Sequence, residues 1–148
     1  TRAPRAHGAV LTGAITVDHR GAYNSAVAIE ADGRVAAIAD KVELLPFGEF
    51  VPMWHTLPPL QRRFRTPGLT AGRAAVAVTI AGVRTLVLNC YEDILPTFVQ
   101  SAVRALNPEV LINVTNDAWF GPTAEPYLHH HVARMRAIET RRDLVGRP

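Results

Sequence analysis

Cysteine and lysine are almost absent from this 148-residue chain, each occurring once, at Cys90 and Lys41. A single cysteine excludes an internal disulfide and a cysteine-built zinc site. No apolar run approaches the roughly 20 residues that a membrane helix needs. The opening Thr1-Arg2-Ala3-Pro4-Arg5 is not followed by the apolar segment of a signal peptide. Neither a Gly-x-Ser-x-Gly elbow nor a glycine-rich phosphate loop is found, and there is no internal repeat or low-complexity stretch. Papain-type chemistry needs a histidine beside the cysteine, and none of the six histidines sits in a context that nominates it. His129-His130-His131 suggests a metal tract, yet consecutive helical residues point about 100° apart and cannot converge on one ion. No metal is expected.

A hydrophobic content of 48% gives this chain, one domain in length, enough apolar material for a core. The net charge is +3, but the basic residues are scattered, and only Arg62-Arg63-Phe64-Arg65 and Arg141-Arg142 cluster. That argues for a solvated or membrane-facing surface and against a nucleic-acid partner. Fifteen arginines stand against the one lysine. Lysine is the compact cation whose pKa moves on burial, so its single use marks Lys41.

The chain is organised around Thr85 to Asp93, where an apolar strand-like run ends on Cys90 and two acids follow. Ile94, Leu95, Phe98, Val99, Ala102, Val103 and Leu106 then recur at helical spacing. A cysteine at a strand-to-helix junction meets backbone N–H groups that lower a thiol's pKa and bind an oxyanion. The plainer reading of Cys90 is a small buried hydrophobe. Upstream, Gly8 to Asp18, Tyr23 to Glu30 and Arg34 to Asp40 read as strands, with turns at Asp18-His19-Arg20-Gly21 and Asp32-Gly33. Leu44 to Pro52 mixes prolines and glycine with bulky apolar groups, which suits an ordered loop walling a site. Residues 53–73 read as a long surface loop with one helical turn, where Trp54, Leu57, Leu60 and Phe64 form an apolar patch. Ala74 to Ile80 and Val83 to Asn89 are strands joined at Ala81-Gly82, Glu109 to Thr115 is a buried strand, and Asn116 to Gly121 is a strand-end loop. A helix from Tyr127 to about Arg142 closes the order, with Leu128, Val132, Met135 and Ile138 on one side. The fold class is α/β, in layers, with site loops at strand ends.

Lys41 with Glu49, Cys90 with Tyr91 and Glu92, and Asn116 to Gly121 all lie at strand ends that can face one another. A thiol nucleophile needs a proton acceptor and a cation or donors for the oxyanion. Lys41 suits the cation, and Glu49 or Glu92 either the base or the group that orients the lysine. The plainer alternatives are an exposed strand-end charge for Lys41, a dipole-complementing acid for Glu92 and cap chemistry for Asn116-Asp117.

These residues also resemble a known family. The stretch Lys41-Val42-Glu43-Leu44-Leu45-Pro46-Phe47-Gly48-Glu49-Phe50-Val51-Pro52, then Asn89-Cys90-Tyr91-Glu92, then Asn116-Asp117-Ala118-Trp119-Phe120-Gly121, then Ala133-Arg134-Met135-Arg136-Ala137 occur in the order found in the nitrilase, or carbon–nitrogen hydrolase, superfamily. More narrowly they are similar to its apolipoprotein N-acyltransferase branch. The resemblance implies an α-β-β-α sandwich and a Glu-Lys-Cys triad, with Cys90 as nucleophile and Lys41 stabilising the tetrahedral intermediate. It implies that Glu49 is an additional essential acid, that Tyr91 and Glu92 support activity, and that Phe47, Asn116 and Trp119 meet substrate. It implies acyl transfer from a membrane phospholipid through a cysteine thioester to the amino-terminal diacylglyceryl-cysteine of an apolipoprotein, without metal or organic cofactor. The setting would be the periplasmic face of a bacterial inner membrane. The alternative is a soluble nitrilase-type amidase that hydrolyses a small amide, and a third reading is a non-catalytic binding domain. Nothing in the chain matches the family's general-base glutamate. Residues 1–148 are therefore expected to be a partial catalytic domain, incomplete at both ends and inactive alone.

Overall fold

Two β-sheets lie against each other in the computed structural model, which describes residues 8–64, 66–116 and 121–146. The first sheet is antiparallel, with strands β1 (Val10–Asp18), β2 (Gly21–Ile29) and β3 (Val35–Asp40) in that order. The turn between β1 and β2 closes because the Asp18 carboxylate accepts the Arg20 and Gly21 amides. This is the local chemistry that makes aspartate a turn residue. After β3 comes the irregular loop expected from its prolines, broken by one short helix, α1 (Pro58–Arg63), whose two prolines occupy its first turn.

The second sheet has the order β4 (Ala77–Ile80), β5 (Val83–Asn89), β6 (Val110–Val114) and β7 (Asp143–Val145). β4 runs antiparallel to β5, whereas β5–β6 and β6–β7 are parallel. β5 is covered on both faces around Leu86-Val87-Leu88, which explains that continuous apolar run. Val87 joins Ala26, Ala28, Ala39 and Val78 in the core between the sheets, where small alanines allow close approach. Leu86 and Leu88 point the other way, to Leu111 and to Val99 and Ala102 of helix α2 (Pro96–Leu106). Helix α3 (Glu125–Thr140) contacts α2 and the segment between β5 and α2. This is the expected layered α/β sandwich, with α2 and α3 packed on the side of the second sheet.

Two expectations need correction. The helix after Cys90 is not continuous: a 3₁₀ turn spans Cys90–Ile94, Leu95 is extended, and α2 starts at Pro96. Proline disfavours helical geometry in the residue before it and fits the first helical position. The chain also forms β7 beyond α3, on the parallel side of β6. The rotation of α3, which the periodicity leaves open, is the more consequential finding. Leu128, Val132, Met135 and Ile138 lie on its exposed side, and the buried residues are His129, Ala133 and Arg136.

This orientation has a measurable consequence. Leu88 is fully buried and Ile138 is 70% exposed. By equilibrium denaturation we expect Leu88→Ala to cost about 3 kcal/mol, and Ile138→Ala to change stability by less than about 0.5 kcal/mol.

Candidate active site

Lys41 follows β3 directly and is held on all sides. Its backbone amide continues the ladder to the Asn24 carbonyl at 2.7 Å, and its own carbonyl accepts the Gly72 amide at 2.7 Å. A Cβ at Gly72 would stand 2.5 Å from the Asp40 carbonyl oxygen, so only glycine lets the returning chain pass this close. The Lys41 side chain is 1% exposed and its Nζ lies 2.6 Å from Glu49 Oε2. Glu49 is positioned in turn by the Leu45 amide at 2.8 Å and the Asn24 side-chain amide at 3.1 Å. Burial pushes the Glu49 carboxyl up, but Lys41 and these two donors outweigh it and hold the group below the usual carboxylate range.

Cys90 stands where β5 ends, with a backbone φ of 53°. A residue with a side chain pays about 1–2 kcal/mol to adopt that left-handed conformation. It presents the thiol at the rim of the sheet as a sharp elbow. Asn89 pairs with Val114 in the parallel register, so Cys90 and Thr115-Asn116 leave the sheet at the same edge. Asn116 is exposed there, and Asp117 to Phe120, including Trp119, lie outside the described residues.

Glu92 joins the two halves. Its Oε1 accepts the amides of Val42 at 2.7 Å and Glu43 at 3.0 Å, just past Lys41, while Oε2 accepts the Asn89 amide at 2.8 Å, just before Cys90. One buried carboxylate therefore fixes the lysine segment of the first sheet against the cysteine elbow of the second. Burial raises the Glu92 pKa, against the pull of the three amides and of Lys41. With its oxygens committed in this way, Glu92 is a clamp, and Glu49 is the partner that orients Lys41. Phe47 is 63% exposed, its ring 6.4 Å from that of Phe64 on the outer surface of the loop.

Sequence reasoning passed over Asp93, Asn113 and His129. The Tyr91 ring stacks on His129 at 4.8 Å, and the Tyr91 hydroxyl donates to Glu125. Asp93 is buried between His129 Nε2, at 2.8 Å, and the Asn113 side-chain amide. A signal did exist in the polar spacing Glu125, His129, Arg136, which places all three on one face of α3. The histidine tract splits accordingly, His129 buried and His131 exposed. Among the described residues no group of three or more histidines, cysteines and acids could hold a metal ion.

Comparison with known proteins identifies the family and the fold. The carbon–nitrogen hydrolase family model matches residues 2–142. The chain is 39% identical over 141 residues to the apolipoprotein N-acyltransferase of Allorhizobium ampelinum, covering 88% of this chain and 26% of that protein. It is 43% identical over 128 residues to the enzyme of the same name from Bradyrhizobium diazoefficiens, covering 84% and 24%. The chain thus spans about a quarter of the length of these relatives. Among solved structures, a CN-hydrolase superfamily protein of Xanthomonas campestris has the same fold, with a TM-score of 0.63 at 23% identity, over 93% of this chain and 48% of that one.

The Lys41–Glu49 pair sets a pH dependence. Glu49 binds its proton less tightly folded than unfolded, so its contribution to stability is complete above the unfolded pKa and fades as pH falls through the folded one. Denaturant unfolding near neutrality and again at about pH 4 should show a loss in the wild type that is smaller in Glu49→Gln. Equal losses would contradict the pairing.

Proposed function

The chain belongs to the carbon–nitrogen hydrolase family, and on that premise we propose that it is the catalytic part of an apolipoprotein N-acyltransferase. The observation that carries this reading is the name borne by its curated relatives at 39–43% identity. In the proposed reaction Cys90 Sγ attacks the ester carbonyl of a phospholipid, and the carbonyl electron pair moves onto oxygen. The Lys41 ammonium, aimed by Glu49, offsets the charge on that oxygen. Collapse of the intermediate expels the lysophospholipid alkoxide, which takes up the proton released by the thiol. The acyl chain is left as a thioester. The α-amine of a diacylglyceryl-cysteine then attacks that thioester, the thiolate leaves, and an amide forms as the amine gives up a proton. In this reading Glu49 aims Lys41 and Glu92 holds the two segments together, and the thiol's proton is assigned to a further acceptor, the family's general base. The steps call on no metal or organic cofactor.

In this reading Phe47, Asn116 and Trp119 meet substrate, and the site works at the periplasmic face of a bacterial inner membrane. Among the described residues no helix is long and apolar enough to cross a membrane. Contact with lipid would fall to the exposed apolar side chains of the long loop, Leu45, Phe47, Met53 and Leu57.

The test is to give the intact protein a phospholipid and weigh the Cys90 peptide, then add a peptide with an amino-terminal diacylglyceryl-cysteine. We expect acyl mass on Cys90 that moves to the amine, none in Cys90→Ser, and acylation slowed about a hundredfold or more in Lys41→Met. Loss of the acyl group to water at a rate indifferent to the acceptor would indicate a hydrolase. A Cys90→Ser protein that keeps its cellular function would indicate a binding module.

A further inference from the structure

The left-handed backbone at Cys90 persists only if its surroundings over-determine it. Each of the four residues after it is tied to another element. Glu92 clamps the Lys41 segment. The Tyr91 hydroxyl donates to Glu125, Asp93 bonds His129 and Asn113, and the Ile94 carbonyl accepts Arg136 Nη1 at 3.1 Å. Glu125, His129 and Arg136 share one face of α3, so this helix turns its polar side to the elbow and its apolar side outward. His129 occupies the middle of that face and contacts both Asp93 and Tyr91 there. Its Nε2 lies 2.8 Å from Asp93 Oδ1, and its ring stacks on Tyr91 with centroids 4.8 Å apart and planes 30° from parallel. Asp93 is 1% exposed, His129 5% and Asn113 9%, and the reaction described above uses none of them. A buried acid with an imidazole is a poor choice for stability alone, since apolar residues of similar volume often serve as well or better. What the pair provides is direction: Asn113 fixes the carboxylate, the carboxylate fixes the imidazole plane, and the imidazole fixes the ring of Tyr91, the residue bonded to Cys90.

We propose that Asp93 and His129 form a positioning pair which, acting through the Tyr91 ring, sets the direction of the Cys90 thiol. The proposal rests on Cys90 being the nucleophile. It holds equally whether the acyl group passes to an amine or to water.

The experiment measures native alkylation of Cys90 by iodoacetamide in the intact protein, alongside kcat and KM for acyl transfer and the thermal midpoint. His129→Gln keeps a donor for Asp93 but loses the stacked ring. We expect alkylation and kcat to fall by about tenfold with KM within about twofold. Tyr91→Ala should give a similar fall, and the double variant should be no slower than the slower single, because both act through one contact. Should His129→Gln fail to fold, His129→Phe preserves the stack while losing the bond to Asp93, and it should also slow alkylation. A folded His129→Gln or His129→Phe with wild-type alkylation overturns the proposal. So do single effects that multiply to about a hundredfold in the double variant. Alkylation needs no acyl donor, so a wild type that alkylates readily yet transfers nothing refutes the acyltransferase reading and leaves this proposal standing.

Discussion

The Glu92 carboxylate is the constraint on which the site depends. It gathers three backbone amides, those of Val42 and Glu43, 50 and 49 residues away in sequence, and that of Asn89. One segment ends the first sheet at Lys41 and the other ends the second at Cys90. The sheets already share a core of small residues, but apolar packing is non-directional and cannot by itself fix how two strand ends face each other. Hydrogen bonds to a carboxylate can, because each donor restricts distance and angle. Burial penalises the charge on Glu92, as its raised pKa records. A group kept at that cost, with its oxygens given to backbone amides, holds geometry.

Around this clamp the molecule gives up apolar burial for polar order. Cys90 takes a conformation unfavourable for any residue with a side chain. α3 leaves Leu128, Val132, Met135 and Ile138 to the exterior, so that Glu125, His129 and Arg136 can satisfy the Tyr91 hydroxyl, the Asp93 carboxylate and the Ile94 carbonyl. These groups lie beneath the elbow, and leaving them unpaired would cost about 1–3 kcal/mol apiece. That sum is of the same order as the gain from burying the four aliphatic side chains of α3, so pairing the polar groups is enough to decide the rotation. Lys41 follows the same logic: a cation this deeply buried is tolerated beside an ionised Glu49 that is itself hydrogen-bonded.

Much of the scaffold was legible in the sequence. Alternating or continuous apolar runs located six of the seven strands, and the prolines and glycines between Leu44 and Gly72 marked the loop that carries Glu49. Lys41 and Cys90 were conspicuous because each is the only residue of its type and each directly follows a strand. What remained hidden depended on partners distant in the chain. Periodicity gives a helix two faces without saying which is inside, and in α3 the polar needs of the elbow decided the matter against the aliphatic stripe. The sequence also could not separate a basic Glu92 from a clamping one, since that rests on where Val42, Glu43 and Asn89 point their amides. His129 was one of three adjacent histidines until the rotation of α3 singled it out.

The most direct test of the clamp is amide hydrogen exchange, residue by residue, in Glu92→Asp. That side chain is one methylene too short to reach both segments. The amides of Val42, Glu43 and Asn89 should then not all remain protected: at least one segment should lose its slow exchange. The ladder amides of Leu86 and Leu111 should keep theirs. If all three clamped amides stay protected, or if protection collapses throughout both sheets at once, Glu92 is not the local link between Lys41 and Cys90 described here.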